Sequence, residues 1–194
     1  MNLKERRDRI LDVAIDLAEE GGFENVRQRD VADQAGIALG TLYKSFSSKE
    51  DILCAALERE AQTLERKMEG KPAEGDTPVE RLSGFFKIVT RAMCRKPKYA
   101  RAVLRAMASG EPEVAQNVAG YQERMNRIII ASMRGPDRAG EPATERESTV
   151  AAYLQRIWFA SLVGWSAGLH GQNEVVDQMQ TACVLLLDAT KSMK

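Results

Sequence analysis

The chain has 194 residues, with 28 lysines and arginines balanced by 28 aspartates and glutamates, and 44% of it is hydrophobic. That length fills a small head and one larger core but hardly three domains. No apolar run approaches a membrane span, and the charged amino terminus lacks the apolar core of a signal peptide, so a cytoplasmic protein is expected.

Zero net charge does not exclude a nucleic-acid ligand, because phosphate responds to local field. Lys4, Arg6, Arg7, Arg9, Arg27, Arg29, Lys44 and Lys49 all fall in the first quarter of the chain. Asp12, Asp16, Glu19, Glu20, Asp30 and Asp33 dilute them, which predicts modest non-specific affinity.

The most informative stretch is Ala35 to Phe46. Val31, Ala32 and Ala35 recur at helical spacing after Arg27, and Gly36 then offers a cheap positive φ, so a short helix ends in a turn there. Ile37 plugs the angle, and Leu39 to Phe46 is expected to form a second short helix with Leu42 and Phe46 facing inward. Thr41, Tyr43, Lys44 and Ser45 are then left outward, a row of hydroxyl, phenol and ammonium groups suited to phosphates and base edges in a major groove. Gly40 removes a side chain where the backbone has to approach something closely.

Helical period continues almost unbroken. Leu53, Leu57, Leu64 and Met68 stripe a long helix that breaks at Gly70 to Gly75, and Thr77 with Glu80 reads as a capping box. Leu82, Phe85, Phe86, Val89 and Met93 mark the next helix, and Tyr99, Val103, Leu104 and Met107 a short one beyond Pro97. Val114 to Ser132 is a longer helix, closed by Gly135-Pro136. Val150, Tyr153, Leu154, Ile157, Trp158, Ser161, Leu162 and Trp165 make a stripe, and Val175, Met179, Cys183 and Leu186 another after Gly168. Strand alternation is absent, so the fold class is all-α: an N-terminal three-helix helix-turn-helix head (1–48) followed by a helical body (49–194).

Cys54, Cys94 and Cys183 lie far apart with no metal-ligand spacing, and are expected to be buried apolar residues; no metal or cofactor is expected. His170, the only histidine, has no catalytic partner at motif spacing, so an enzyme is not expected.

Gly40-Thr41-Leu42-Tyr43, Phe46 and Ser48-Lys49-Glu50-Asp51-Ile52-Leu53 resemble the TetR family of bacterial transcriptional regulators. Arg9 to Ala14, Gly21-Gly22-Phe23, Val31-Ala32 and Ala35-Gly36-Ile37 fit the same register. The resemblance implies a DNA-contact set of Arg27, Gln28, Ala38, Leu39, Gly40, Thr41, Tyr43, Lys44 and Lys49. Leu39, Gly40 and Thr41 would lie against the groove, with Tyr43 and Lys49 on phosphates. Two positions depart from the family pattern: Ala38 stands where a capping Ser or Thr is common, and Arg27 where Thr is common.

The family also dimerises through a four-helix bundle, which assigns Tyr153, Ile157, Ser161, Trp165, Val175, Met179, Cys183 and Leu186 to a homodimer interface, unless both stripes close onto the chain's own core. Gly164 would permit close helix approach in either case. Phe85, Phe86, Val89, Met93, Leu104, Met107, Tyr121, Met125 and Trp158 are candidate walls of an effector pocket. Thr77-Pro78, Arg81-Leu82, Arg91-Ala92-Met93, Gly140 to Thr144 and Trp158 with Trp165 are similar to a steroid-responsive repressor within the family. That implies a bulky apolar ligand such as a lipid or acyl-CoA, with Arg91, Arg95, Lys96 or Lys98 near its phosphates. The competing reading is a helical protein–protein adaptor whose head has lost DNA binding.

Overall fold

The computed structural model describes residues 2–70, 73–134, 138 and 141–188. Among these, every regular element is helical: α1 (Leu3–Gly21), α2 (Gln28–Ala35), α3 (Leu39–Tyr43), α4 (Lys49–Gly70), α5 (Pro78–Cys94), α6 (Pro97–Met107), α7 (Ala115–Arg134), α8 (Glu145–Ser166) and α9 (Gln172–Asp188). Single 3-10 turns at Phe23–Asn25 and Pro112–Val114 precede α2 and α7. Lys71-Pro72 of the break expected at Gly70 to Gly75, the break expected at Gly135-Pro136, and Gly140 of the resembled segment lie outside the described residues.

Helix starts are set by side-chain caps. The Thr77–Glu80 box opens α5 with Pro78 in the first turn, and Asn2–Glu5 and Thr144–Glu147 boxes open α1 and α8. Each satisfies two amide hydrogens that the helix cannot, for about 1 kcal/mol.

The residues pack as two compact units. Met1–Ala61 joins Lys96–Tyr121, and Gln62–Arg95 joins Gln122–Lys194. The first packing unit extends past the expected boundary at residue 48 and takes in the start of α4, all of α6 and the start of α7.

In the first unit, α1 lies against α2, α6 and the Phe23 turn. Ile10, Leu11, Val31, Leu42, Phe46, Ile52 and Leu53 are all buried there. Polar links hold α1 to its neighbours. Arg59 Nη2 donates to Asp12 Oδ1 at 2.6 Å, Lys98 Nζ donates to the Glu20 carbonyl at 2.7 Å, and Lys96 pairs with Glu19. Tyr99 donates to Glu60 Oε2 at 2.9 Å, and burial pushes both groups upward.

In the second unit, α9 lies against α5 and α8. Phe85 and Phe86 meet edge to face at 5.1 Å, the Trp158 ring is 6.0 Å from Phe86, and the Trp158 indole donates to Thr90 Oγ1 at 2.9 Å. Arg134, at the end of α7, donates to both carboxylate oxygens of Glu147 and to the carbonyls of Glu141 and Pro142, tying α7 to the start of α8. The Arg134 guanidinium, with help from the Thr144 cap, holds Glu147 down to about 2.

Candidate DNA-binding interface

The turn is built as the spacing predicts, whereas α3 spans Leu39–Tyr43 and not Leu39 to Phe46. Gly36 takes φ 66° and ψ 39°, and its amide closes α2 onto the Ala32 and Asp33 carbonyls. An L side chain there would be strained in the left-handed region. The Ile37 amide then bonds to the Ala32 carbonyl at 3.0 Å, which sets the turn. Leu42 and Phe46 are buried, and the Phe46 amide still bonds to the Leu42 carbonyl at 2.9 Å, so the last turn of α3 runs on beyond Tyr43. Gln28 Nε2 donates to the Phe46 carbonyl at 3.5 Å, reaching from α2 to the far end of this segment.

With Leu42 and Phe46 inside, the opposite side of α3 faces solvent. Tyr43 is 54% exposed, Gly40, Lys44 and Ser45 are exposed, and Leu39 and Thr41 half-buried. Ala38 leaves the helix without a side-chain cap. Arg27 precedes α2 exposed and likewise makes no cap. A β-carbon built on Gly40 meets nothing within 4 Å, so nothing in the chain itself demands glycine there.

The exit of the motif is fixed by a carboxylate. Asp51 Oδ2 accepts from the Ser47 amide at 3.0 Å and from the Ser47 hydroxyl, and its Oδ1 accepts from Asn117 Nδ2 at 2.6 Å. Ser48 Oγ accepts from the Asp51 amide at 3.0 Å and caps α4. Arg7 stacks over the Phe46 ring at 4.7 Å. Lys49 is brought to the same edge, but its ammonium lies 3.2 Å from Glu24 Oε2 and 3.9 Å from the centre of the Phe23 ring.

Glu24, Arg105, Asn117 and the stacking of Arg7 were not expected from the sequence, and Asp51 entered only as part of the Ser48 to Leu53 motif. The Ser48–Asp51 spacing was a legible capping signal. Arg105, one partner of Glu24, lies on α6 and Asn117, one partner of Asp51, lies on α7, where no local periodicity points to them.

In the body the expected sets divide. Phe85, Phe86, Val89, Met93, Met125 and Trp158 belong to the second unit, whereas Leu104, Met107 and Tyr121 belong to the first. A groove in the second unit is lined by Ile157, Asp177, Gln178, Thr181, Ala182, Leu185 and Leu186. Of the residues expected at a dimer interface, Ser161, Val175, Met179 and Cys183 are buried in this chain's own core, because α9 turns that stripe toward α5 and α8. Tyr153 is 50% exposed, and Ile157, Trp165 and Leu186 are half-buried.

Gly164 seats the His170 ring, whose Cε1 would lie 2.5 Å from an added β-carbon, while His170 Nε2 bonds to the Ser161 carbonyl at 2.9 Å. This histidine closes the α8–α9 turn. Of the basic residues suggested for phosphate groups, Lys96 and Lys98 are engaged by α1, and Arg91 and Arg95 are exposed. Burial pushes Cys54 and Cys183 up to about 12 and Cys94 to about 11, which keeps all three as thiols. No described helix is long and apolar enough to cross a membrane.

A left-handed glycine turn between two short helices, with a polar exposed row on the second, defines a helix-turn-helix DNA-binding regulator. The chain belongs to the TetR family. Residues 10–56 match the family described as "Bacterial regulatory proteins, tetR family", and residues 75–186 the "Tetracyclin repressor-like, C-terminal domain". It is 35% identical over 184 residues to the HTH-type transcriptional repressor KstR of Rhodococcus jostii (strain RHA1), covering 95% of this chain and 84% of that protein. Its fold matches a TetR transcriptional regulator from Rhodococcus sp. RHA1 with a TM-score of 0.84, at 24% identity over 96% of this chain and 97% of the other. It also matches Thermus thermophilus FadR, a TetR family transcriptional repressor in complex with lauroyl-CoA, with a TM-score of 0.72, at 18% identity over 93% of each. These relatives are transcriptional regulators, and the chain is not an enzyme.

Proposed function

We propose that this regulator is a cytoplasmic repressor that occupies operator DNA as a homodimer and leaves it when a small apolar effector, a lipid or steroid acyl-CoA, binds the body. Residues 1–48 read the DNA, and residues 49–194 dimerise and take the effector. The observation that carries the reading is α3. It presents Tyr43, Thr41 and Lys44 outward and holds a glycine at position 40 that no internal contact requires. The similar repressor from Rhodococcus supports the sign of control.

Two recognition helices have to lie about 34 Å apart to enter successive major grooves on one face of the duplex. A face of α8 and α9 that keeps Tyr153, Val184 and Leu185 exposed beside the Ile157 groove supports a dimer that sets this spacing. The lauroyl-CoA held by the Thermus protein supports testing thioesters first.

The experiment is a mobility shift of the purified protein on its own upstream intergenic DNA, at two salt concentrations, with and without a panel of acyl-CoA and steroid thioesters. A specific shift released by one thioester class is the expected result. A shift that no thioester releases removes the effector, and no shift on any promoter fragment favours a helical adaptor.

A further inference from the structure

Glu24 stands between two cations. Its Oε2 lies 3.2 Å from Lys49 Nζ and its Oε1 2.8 Å from Arg105 Nη1. Both cations also lie over the neighbouring Phe23 ring, Lys49 Nζ at 3.9 Å and the Arg105 guanidinium carbon at 4.1 Å from its centre. The Lys49 ammonium has the Phe23 carbonyl at 3.4 Å as well. Lys49 begins α4, directly after the segment that carries the recognition helix, while Arg105 belongs to α6. One turn of 3-10 helix thus places an acid where the DNA-reading motif and α6 compete for it.

We infer that Glu24 is a positioning residue that withholds Lys49 from DNA phosphate, and that Arg105 sets how firmly it does so. This rests on the DNA-binding function proposed above. A carboxylate shared by two cations holds each less tightly than it would hold one, since a second positive charge nearby offsets its field. With Arg105 in place, Lys49 is loosely held, and its flexible four-carbon stem lets the ammonium exchange the carboxylate for a phosphate. Without Arg105, Glu24 falls wholly to Lys49 and the phosphate contact weakens.

The test is a set of titrations of upstream DNA across a salt series, using the full chain and the variants Glu24→Gln, Arg105→Met, Lys49→Met, the pairs Glu24→Gln/Arg105→Met and Glu24→Gln/Lys49→Met, and Glu20→Gln. Glu24 is exposed, so its isosteric change leaves the core intact. Exposed ion pairs of this kind correspond to roughly a two- to fivefold change per head. Glu24→Gln is expected to tighten binding by that factor and Arg105→Met to weaken it. The Glu24→Gln/Arg105→Met pair is expected to bind like Glu24→Gln alone, and in the Lys49→Met background Glu24→Gln is expected to change nothing.

A general charge effect would instead make the changes additive, would persist without Lys49, and would be matched by Glu20→Gln; that pattern overturns the proposal. So does any weakening of DNA binding by Glu24→Gln, which would make Lys49 a structural staple of the Phe23 turn. Wild-type protein that binds no upstream DNA at all removes the repressor reading and this inference with it, whereas wild-type binding with additive variants removes only the inference.

Discussion

Gly40→Ala separates the needs of the fold from those of the site. Glycine inside a helix is less favourable than alanine by about 0.5–1 kcal/mol, because it gives up more backbone freedom on folding. Here the new methyl group has open space around it, with nothing within 4 Å, and Gly40 is absent from the glycines of positive φ. The free protein is therefore expected to gain up to about 1 kcal/mol, a rise in melting temperature of about 2–4 °C for a chain of this size. If the open space is where DNA backbone or a base edge packs, the same methyl has to displace it. Crowding a close-packed contact costs about 1–3 kcal/mol, so affinity should fall roughly five- to hundredfold per head on every sequence. Differential scanning calorimetry and a DNA titration on the same preparation read the two effects. A variant that is stabilised yet binds operator as tightly as wild type would refute the close approach and leave the glycine unexplained.

Tyr43→Ala and Lys49→Ala should weaken binding to all sequences, and Lys49→Ala, which removes a cation, should also lower the salt slope by about one unit, whereas changes at Leu39 or Thr41 should alter site preference at an unchanged slope; equal losses on every sequence for all four would refute that division. Glu147 sits at about 2 in the folded protein against 4.5 as its ordinary value, so it contributes stability that is fully present above about 4.5 and is lost as pH falls through 2. Undiscounted, the shift corresponds to about 3 kcal/mol, and solvent screening at this partly exposed pair reduces it to on the order of 1 kcal/mol. Denaturant unfolding between pH 5 and 2 should show that loss in wild type and little of it in Glu147→Gln. Gly164→Ala should destabilise by about 1–3 kcal/mol, since its methyl would lie 2.5 Å from the His170 ring, and a His170→Ala background should recover much of the loss in thermal melts.

The DNA-reading motif was legible because its determinants are local. Gly36, Leu42 and Phe46 act within a dozen residues of one another, so period and turn chemistry suffice to place them. The Thr77 cap was legible for the same reason. The ends of α3 were less so: five residues are assigned as helix where Leu39 to Phe46 was expected, since only the Leu42 carbonyl continues the bonding beyond Tyr43.

Stripes in the body carried less information than their regularity suggested. Val175, Met179 and Cys183 keep a perfect spacing, but spacing says only that one face is apolar, not which molecule covers it. The structure answers that for α9: the stripe faces its own chain, and what remains for a partner is the adjacent side, where Leu185 is 64% exposed and Leu186 half-buried. A dimer built there would need no residue of the inner stripe, so Val184 and Leu185, not Met179, are where charge substitutions should separate the subunits. Val184→Glu/Leu185→Lys should give monomers by sedimentation without loss of helicity, and, because two heads have to dock together, should also abolish specific binding while sparing the non-specific salt-dependent part. A double variant that stays dimeric would place the interface elsewhere on the body.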